Sequence, residues 1–191
     1  MRELWIARHG ETEWTRTRRH TSVTDLDLTE EGARQAVALR KRLSGERFHM
    51  VLTSPSLRAV RTAKLAGFPH AVPVDDLIEY RYGAYEGLTT KEIRIERPDW
   101  DLWRDGCPDG ETVADVGRRA DRVLETVLEV DGSVLIFGHG HMTRALAARF
   151  LGLGPDAGRF FVLGTAGVSV LGKEHEHRAI LLWNDTGHLR A

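Results

Sequence analysis

A single cysteine, Cys107, stands among the 191 residues. No internal disulfide can form, and no cysteine cluster can hold a metal. This usage suits a reducing compartment, so a cytoplasmic location is expected. No run approaches the roughly 20 apolar residues of a membrane helix. The first apolar run meets Arg8 too early to serve as a signal-peptide core. Neither sign of charge dominates, with 27 Lys and Arg against 28 Asp and Glu. Neither nucleic acid nor a membrane surface is therefore expected as a partner. Repeats, low-complexity tracts and linkers are also missing. The length fits one domain, 1–191, with a sizeable core.

Two strand-like runs that break at glycine carry the information. Leu4-Trp5-Ile6-Ala7 is apolar and leads into Arg8-His9-Gly10-Glu11-Thr12. Ser133-Val134-Leu135-Ile136-Phe137 leads into Gly138-His139-Gly140-His141. Each pattern reads as a buried strand opening into a loop. Ligands bind at the carboxyl ends of strands in open α/β sheets. Two strand ends that each deliver histidine can therefore serve one pocket.

The rest of the chain alternates strands with helices. Thr29 has N-cap character ahead of a helix over 33–43. Met50–Thr53 reads as a strand, and Pro55-Ser56 opens a helix to about Ala66. Further strands are expected at 71–74, 160–163, 168–171 and 178–183. Thr89 or Thr90 caps a helix ending at Glu96, and 100–110 reads as irregular. A long amphipathic helix is expected over 113–130, and another over 142–151. This order predicts a three-layer α/β/α sandwich. The three closely spaced late strands make its central sheet mixed, though mostly parallel.

Four pieces can carry chemistry: Arg8-His9-Gly10, Arg58, Glu79 and Gly138-His139-Gly140. Two arginines, two histidines and a carboxylate suit phosphoryl transfer without a metal. Guanidinium forks match phosphate oxygens and neutralise them. A neutral imidazole can attack phosphorus and split one displacement into two. Nearby cations keep that imidazole unprotonated. A carboxyl group can then protonate the leaving oxygen and afterwards activate water. Asp75, Asp76 and Glu86 compete with Glu79 for this role.

These pieces, in this order, resemble the histidine phosphatase superfamily, the phosphoglycerate mutase-like family. The resemblance spans nearly the whole chain. It includes Ala7 to Trp14, Asp27-Leu28-Thr29 with Gly32, Thr53-Ser54-Pro55 with Arg58-Ala59, Glu79 with Tyr82-Gly83 and Glu86-Gly87, Gly110-Glu111-Thr112, Gly138-His139-Gly140, and Asn184 with His188-Leu189. It implies His9 as phosphate acceptor, Arg8, Arg58 and His139 as the phosphate pocket, and Glu79 as proton donor. No cofactor is implied. Thr15, Thr21, Ser22, Gly140 and His141 are the candidates for substrate contact. The mutase branch usually has asparagine where this chain has Thr15, whose hydroxyl can still donate one hydrogen bond. That branch also carries a long basic insertion, where this chain has only residues 88–109. Hydrolysis is thus favoured over a mutase reaction. Trp103 to Cys107, Gly110-Glu111-Thr112 and His139-Gly140-His141 resemble the small acid phosphatase and sugar-phosphate phosphatase subset. A small phosphorylated metabolite is the implied substrate, with residues 82–112 covering it.

Blander readings compete at single residues. Arg16, Arg18, Arg19 and His20 form either a basic rim or a solvated loop. Trp100 and Trp103 are either lid aromatics or core. The pairs His139/His141 and His175/His177 allow a metal reading. However, no HExxH or cysteine pair accompanies them, and His175 and His177 fall at an expected hairpin turn. A phosphoglycerate mutase and a non-catalytic phospholigand-binding module are the competing functions. The edge-strand candidate 168–171 offers a route to a homodimer.

Overall fold

A computed structural model describes residues 1–190. Its frame is a six-stranded sheet in the order β3-β2-β4-β1-β5-β6. Strands β1 (Leu4–Arg8), β2 (Met50–Thr53), β3 (Val72–Pro73) and β4 (Val134–Gly138) run parallel. Strand β5 (Val168–Glu174) runs antiparallel to β1, and β6 (His177–Asp185) runs antiparallel to β5. The mixed, mostly parallel sheet follows from the chain order: the first strands are joined through helices, whereas the last two form a hairpin. β1 from Leu4 to Ala7 and all of β4 are apolar and buried on both faces, as central parallel strands must be. One apolar cluster, with Leu4, Ile6, Val123, Ile136 and Leu146, packs on one face. The other, with Trp5, Ala7, Leu39, Ala63 and Phe137, packs on the opposite face.

Helices cover both faces: α1 (Glu13–Arg16), α2 (Glu30–Leu43), α3 (Leu57–Leu65), α4 (Thr90–Glu96), α5 (Leu102–Asp105), α6 (Val113–Leu128) and α7 (Gly140–Phe150). Their starts follow capping chemistry. The Thr29 hydroxyl accepts the Gly32 amide, and Thr89 and Thr112 close capping boxes with Glu92 and Asp115. α7 begins two residues before the sequence signal, so His139 occupies its N-cap position.

Three expectations need correction. Residues 160–163 are not a strand; a 3₁₀ turn runs over Pro155–Phe160 and an irregular segment follows. Both places beside β5 are already filled, by β1 and β6. The carbonyls of Val162 and Leu163 accept side-chain donors instead, from Trp183 Nε1 and Arg8 Nη1. The segment 100–110 is not wholly irregular either, because Asp101 caps α5. The expected strand at 71–74 shrinks to the pair Val72–Pro73, since proline has no N–H to extend the ladder.

The loop after β1 presses onto the start of α2. A Cβ on Gly10 would overlap the Gly32 carbonyl, and one on Gly32 would overlap the Glu11 carbonyl. The Gly10 amide also donates to Thr62 Oγ1 on α3. Gly10→Ala is expected to lower unfolding stability by about 1–3 kcal/mol, the usual range for overpacking. Urea denaturation checks this; an unchanged midpoint would contradict the contact.

Candidate active site

The two glycine-broken strand ends lie side by side. Arg8 pairs in register with Gly138, and the His9 amide donates to the Gly138 carbonyl at 3.0 Å. β2 ends beside β4, where the Ser54 amide donates to the Phe137 carbonyl. Its continuation through Ser54-Pro55 starts α3 and places Arg58 on the first turn. Three parallel strands thus deliver His9, Arg58 and His139 to one end of the sheet.

His9 is buried, and its Nδ1 lies 2.7 Å from the Gly10 carbonyl oxygen. A carbonyl can only accept, so Nδ1 carries the proton and Nε2 keeps its lone pair. Burial, and next the Arg8 and Arg58 charges, hold the His9 pKa well below the usual histidine range. The His139 ring stands edge-on to His9, 5.2 Å between centroids. His139 Nε2 bonds Ser54 Oγ at 2.7 Å.

Arg58 is fully buried, and its terminal nitrogens donate to the Thr21, Ser22 and Thr24 carbonyls. Arg8 Nε, Arg58 Nε and His139 Nδ1 are buried without partners among the described residues. Buried polar atoms left unpaired are rare and call for explanation. Two of the three are guanidinium donors, which suit an anionic ligand. Among those residues no three His, Cys, Asp or Glu side chains are grouped as a metal cage.

Glu79 sits opposite. Its Oε1 accepts the Tyr80 and Met142 amides at 2.9 and 2.7 Å, and its Oε2 accepts the His141 amide at 3.0 Å. The first turn of α7 thus fixes this carboxylate. The competing carboxylates have other duties. Asp76 pairs with Arg122, and Glu86 accepts the Ser22 and Thr24 amides and the Ser22 hydroxyl.

A cavity of about 330 Å³ opens onto the cluster. Arg8, His9, Glu79, Gly140, His141, Thr15 and Thr21 line it, and Arg58 and His139 lie behind. A Cβ on Gly140 would stand at 3.5 Å from both Arg8 and Glu79, which places this residue between the two side chains. Ser22 is not brought there; its amide and hydroxyl face Glu86. Thr15 reaches the wall, but its hydroxyl proton is given to the Thr12 carbonyl, which leaves none for a ligand. Of the basic rim, Arg18, Arg19 and His20 line the cavity, whereas Arg16 pairs with Glu13. Trp100 and Trp103 are buried; Trp103 backs the wall at 5.6 Å from His141. His175 and His177 are exposed at the β5–β6 turn. Cys107 is half-buried, and burial raises its thiol to about 12.

Sequence reasoning missed Arg144 altogether. It lines the cavity, stacks on Trp103 and donates to the Gly158 carbonyl. The available signal was its place three residues after His141, on the same face of α7.

Burial keeps several imidazoles neutral. His9, His139 and His141 are held well below 6.5, and His20 is lowered to about 4. The unfolded chain takes up these protons near pH 6.5, and the folded chain does so only further into acid. Stability contributed by the neutral rings is therefore present above about pH 6.5 and lost as the pH falls towards 4. The melting temperature is expected to drop between pH 7 and pH 5; a flat profile would contradict it.

The parallel strand ends, paired histidines and unpaired guanidinium nitrogens define an α/β fold with a cationic, histidine-bearing pocket at one end of its sheet. Comparison with known proteins gives the family. The model of the histidine phosphatase superfamily (branch 1) matches residues 4–186, and the chain belongs to that family. It is 42% identical over 190 residues to an acid phosphatase of Mycobacterium tuberculosis, covering 97% of this chain and 93% of that one. It is 34% identical to sedoheptulose 1,7-bisphosphatase of Saccharomyces cerevisiae, over 78% of this chain and 67% of that one. A solved structure of a Mycobacterium tuberculosis open reading frame superposes with TM-score 0.95 at 40% identity, covering 98% of this chain and 99% of that one. Phosphoserine phosphatase of Entamoeba histolytica, solved with 3-phosphoglyceric acid, gives 0.84 at 26% identity, with 99% and 100% covered. The chain is a histidine phosphatase, a phosphoric monoester hydrolase.

Proposed function

We propose that this chain hydrolyses small phosphorylated metabolites through a phosphohistidine at His9, without a metal. The observation that carries the reading is the unprotonated Nε2 of a buried His9, beside the unpaired Nε donors of Arg8 and Arg58 and the unpaired Nδ1 of His139. The Nε2 lone pair attacks phosphorus, and a P–N bond forms as the ester P–O bond breaks. The leaving oxygen takes the released electron pair and a proton from the Glu79 carboxyl. The Glu79 carboxylate then takes a proton from water, whose oxygen attacks phosphorus. The P–N bond breaks, its electrons return to Nε2, and phosphate is released. The Arg8 and Arg58 charges neutralise the equatorial oxygens throughout, with the neutral His139 ring beside them.

The finer substrate class rests on the cavity's outer side. Arg18 and Thr90 are shared with an adjoining groove that also holds Lys91 and Arg94. This groove has cations and no carboxylate along its lining, which suits a second anionic group on the substrate. The relative from Saccharomyces cerevisiae is named for a bisphosphate. Residues 82–112 serve as the covering segment, supplying Tyr82 and Thr90.

Phosphate release should persist in EDTA, with sugar bisphosphates preferred over monophosphates. The double variant Lys91→Ala/Arg94→Ala should cut kcat/KM for bisphosphates by about tenfold and spare monophosphates. EDTA inhibition reversed by added metal would overturn the metal-free scheme. Conversion of 3-phosphoglycerate to 2-phosphoglycerate without phosphate release would indicate a mutase instead.

A further inference from the structure

Arg119 lies on α6 and does not line the catalytic cavity, yet it is buried and fully engaged. Its Nε and Nη2 donate to Glu111 Oε1 and Oε2 at 2.7 and 2.6 Å. Its Nη1 donates to the carbonyls of Asp76 and Ile78, both at 2.8 Å, and its Nη2 reaches the Glu79 carbonyl at 3.3 Å. Nη1 also touches Met142 Sδ at 3.4 Å. Glu111 closes the ring from the other side. Its Oε2 accepts the Arg81 amide at 2.9 Å, and its backbone amide donates to the Arg81 carbonyl at 2.8 Å.

These bonds surround one short stretch. Residues 78–82 have no regular secondary structure, so no ladder or helix fixes them. Glu79 sits in that stretch. Its carboxylate is held by the amides of His141 and Met142, and Arg119 touches the Met142 side chain. One guanidinium therefore contacts both the backbone that carries Glu79 and the helix turn that receives its carboxylate. A guanidinium suits this place because it offers five donors in a fixed plane. A small misplacement of a proton donor costs rate steeply.

We propose that Arg119, clamped by Glu111, is a positioning residue that sets the proton-donating geometry of Glu79. This rests on the reading of Glu79 as general acid. The clamp acts on a step that matters for some substrates only. An alkyl phosphate needs its leaving oxygen protonated, whereas a p-nitrophenyl phosphate leaves as a stable anion. Loss of folded enzyme would lower both rates by one factor. Loss of donor geometry lowers kcat/KM for the alkyl ester alone, since kcat/KM reports steps up to P–O cleavage.

The test uses Arg119→Lys and Glu111→Gln, which keep bulk and polarity, with Glu79→Gln alongside and circular dichroism to establish folding. In each clamp variant, kcat/KM for ethyl phosphate should fall about tenfold or more while that for p-nitrophenyl phosphate stays within about twofold. Inhibition by inorganic phosphate should be unchanged, because the phosphate-binding groups are untouched. An equal loss on both esters in either folded variant, or no loss on the alkyl ester in both, overturns the clamp while Glu79→Gln still discriminates. If Glu79→Gln itself loses both esters equally, the general-acid reading fails and the clamp falls with it.

Discussion

His9→Ala is expected to lower phosphate release by about four to six orders of magnitude, the scale seen when a covalent nucleophile is removed. The size follows from geometry. Gly10's carbonyl fixes the Nδ1 proton, so Nε2 is the only free lone pair on the ring. Burial and two nearby guanidinium charges keep that lone pair unprotonated into acid. His139 is not expected to take over, because it does not line the cavity and its Nε2 is bonded to Ser54. The change removes a buried ring, so circular dichroism must accompany the assay. Residual turnover above about one per cent in folded His9→Ala would place the nucleophile elsewhere.

Glu79→Gln should produce a loss that depends on the leaving group. The amide has no acidic proton to give, and its NH₂ cannot accept the His141 N–H that Oε2 now accepts. For alkyl phosphates kcat/KM should fall by about 10²–10⁴, the usual contribution of a positioned acid. For p-nitrophenyl phosphate kcat/KM should change little. Its kcat should still drop, because water is no longer activated in the second half-reaction. Stopped-flow traces should therefore show a burst of p-nitrophenol followed by slow turnover. Equal losses on both esters and no burst would remove Glu79 from the proton path.

Most of the cluster was legible in the sequence because strand ends are legible. Leu4 to Ala7 and Val134 to Phe137 are buried on both faces, and each breaks at a glycine-flanked histidine. Arg58 was readable for the same reason, at the first turn after a short strand. The fold class followed from the alternation of strands and helices. Glu79 was harder. It lies in a stretch without periodicity, among several acids, and only its contact with α7 separates it from Asp76 and Glu86. Arg119 was illegible because long-range packing defines it, through carbonyls some forty residues earlier in the chain, and Arg144 offered only its spacing from His141, its partner carbonyl lying in the turn near Gly158. Thr15 reaches the cavity as read, but its sequence did not show that its hydroxyl is used by its own helix cap. The missed strand at 160–163 shows the same limit. Its apolar residues suited a strand, but the sheet had no free edge beside β5.

The measurement closest to the heart of the account is direct capture of the intermediate. Enzyme mixed with a ³²P-labelled monophosphate and quenched without acid should carry label on one peptide, at Nε2 of His9. That label should survive base, be lost in acid, and appear and decay fast enough to account for turnover. Steady phosphate release with no labelled protein, or label on a residue other than His9, would contradict the account.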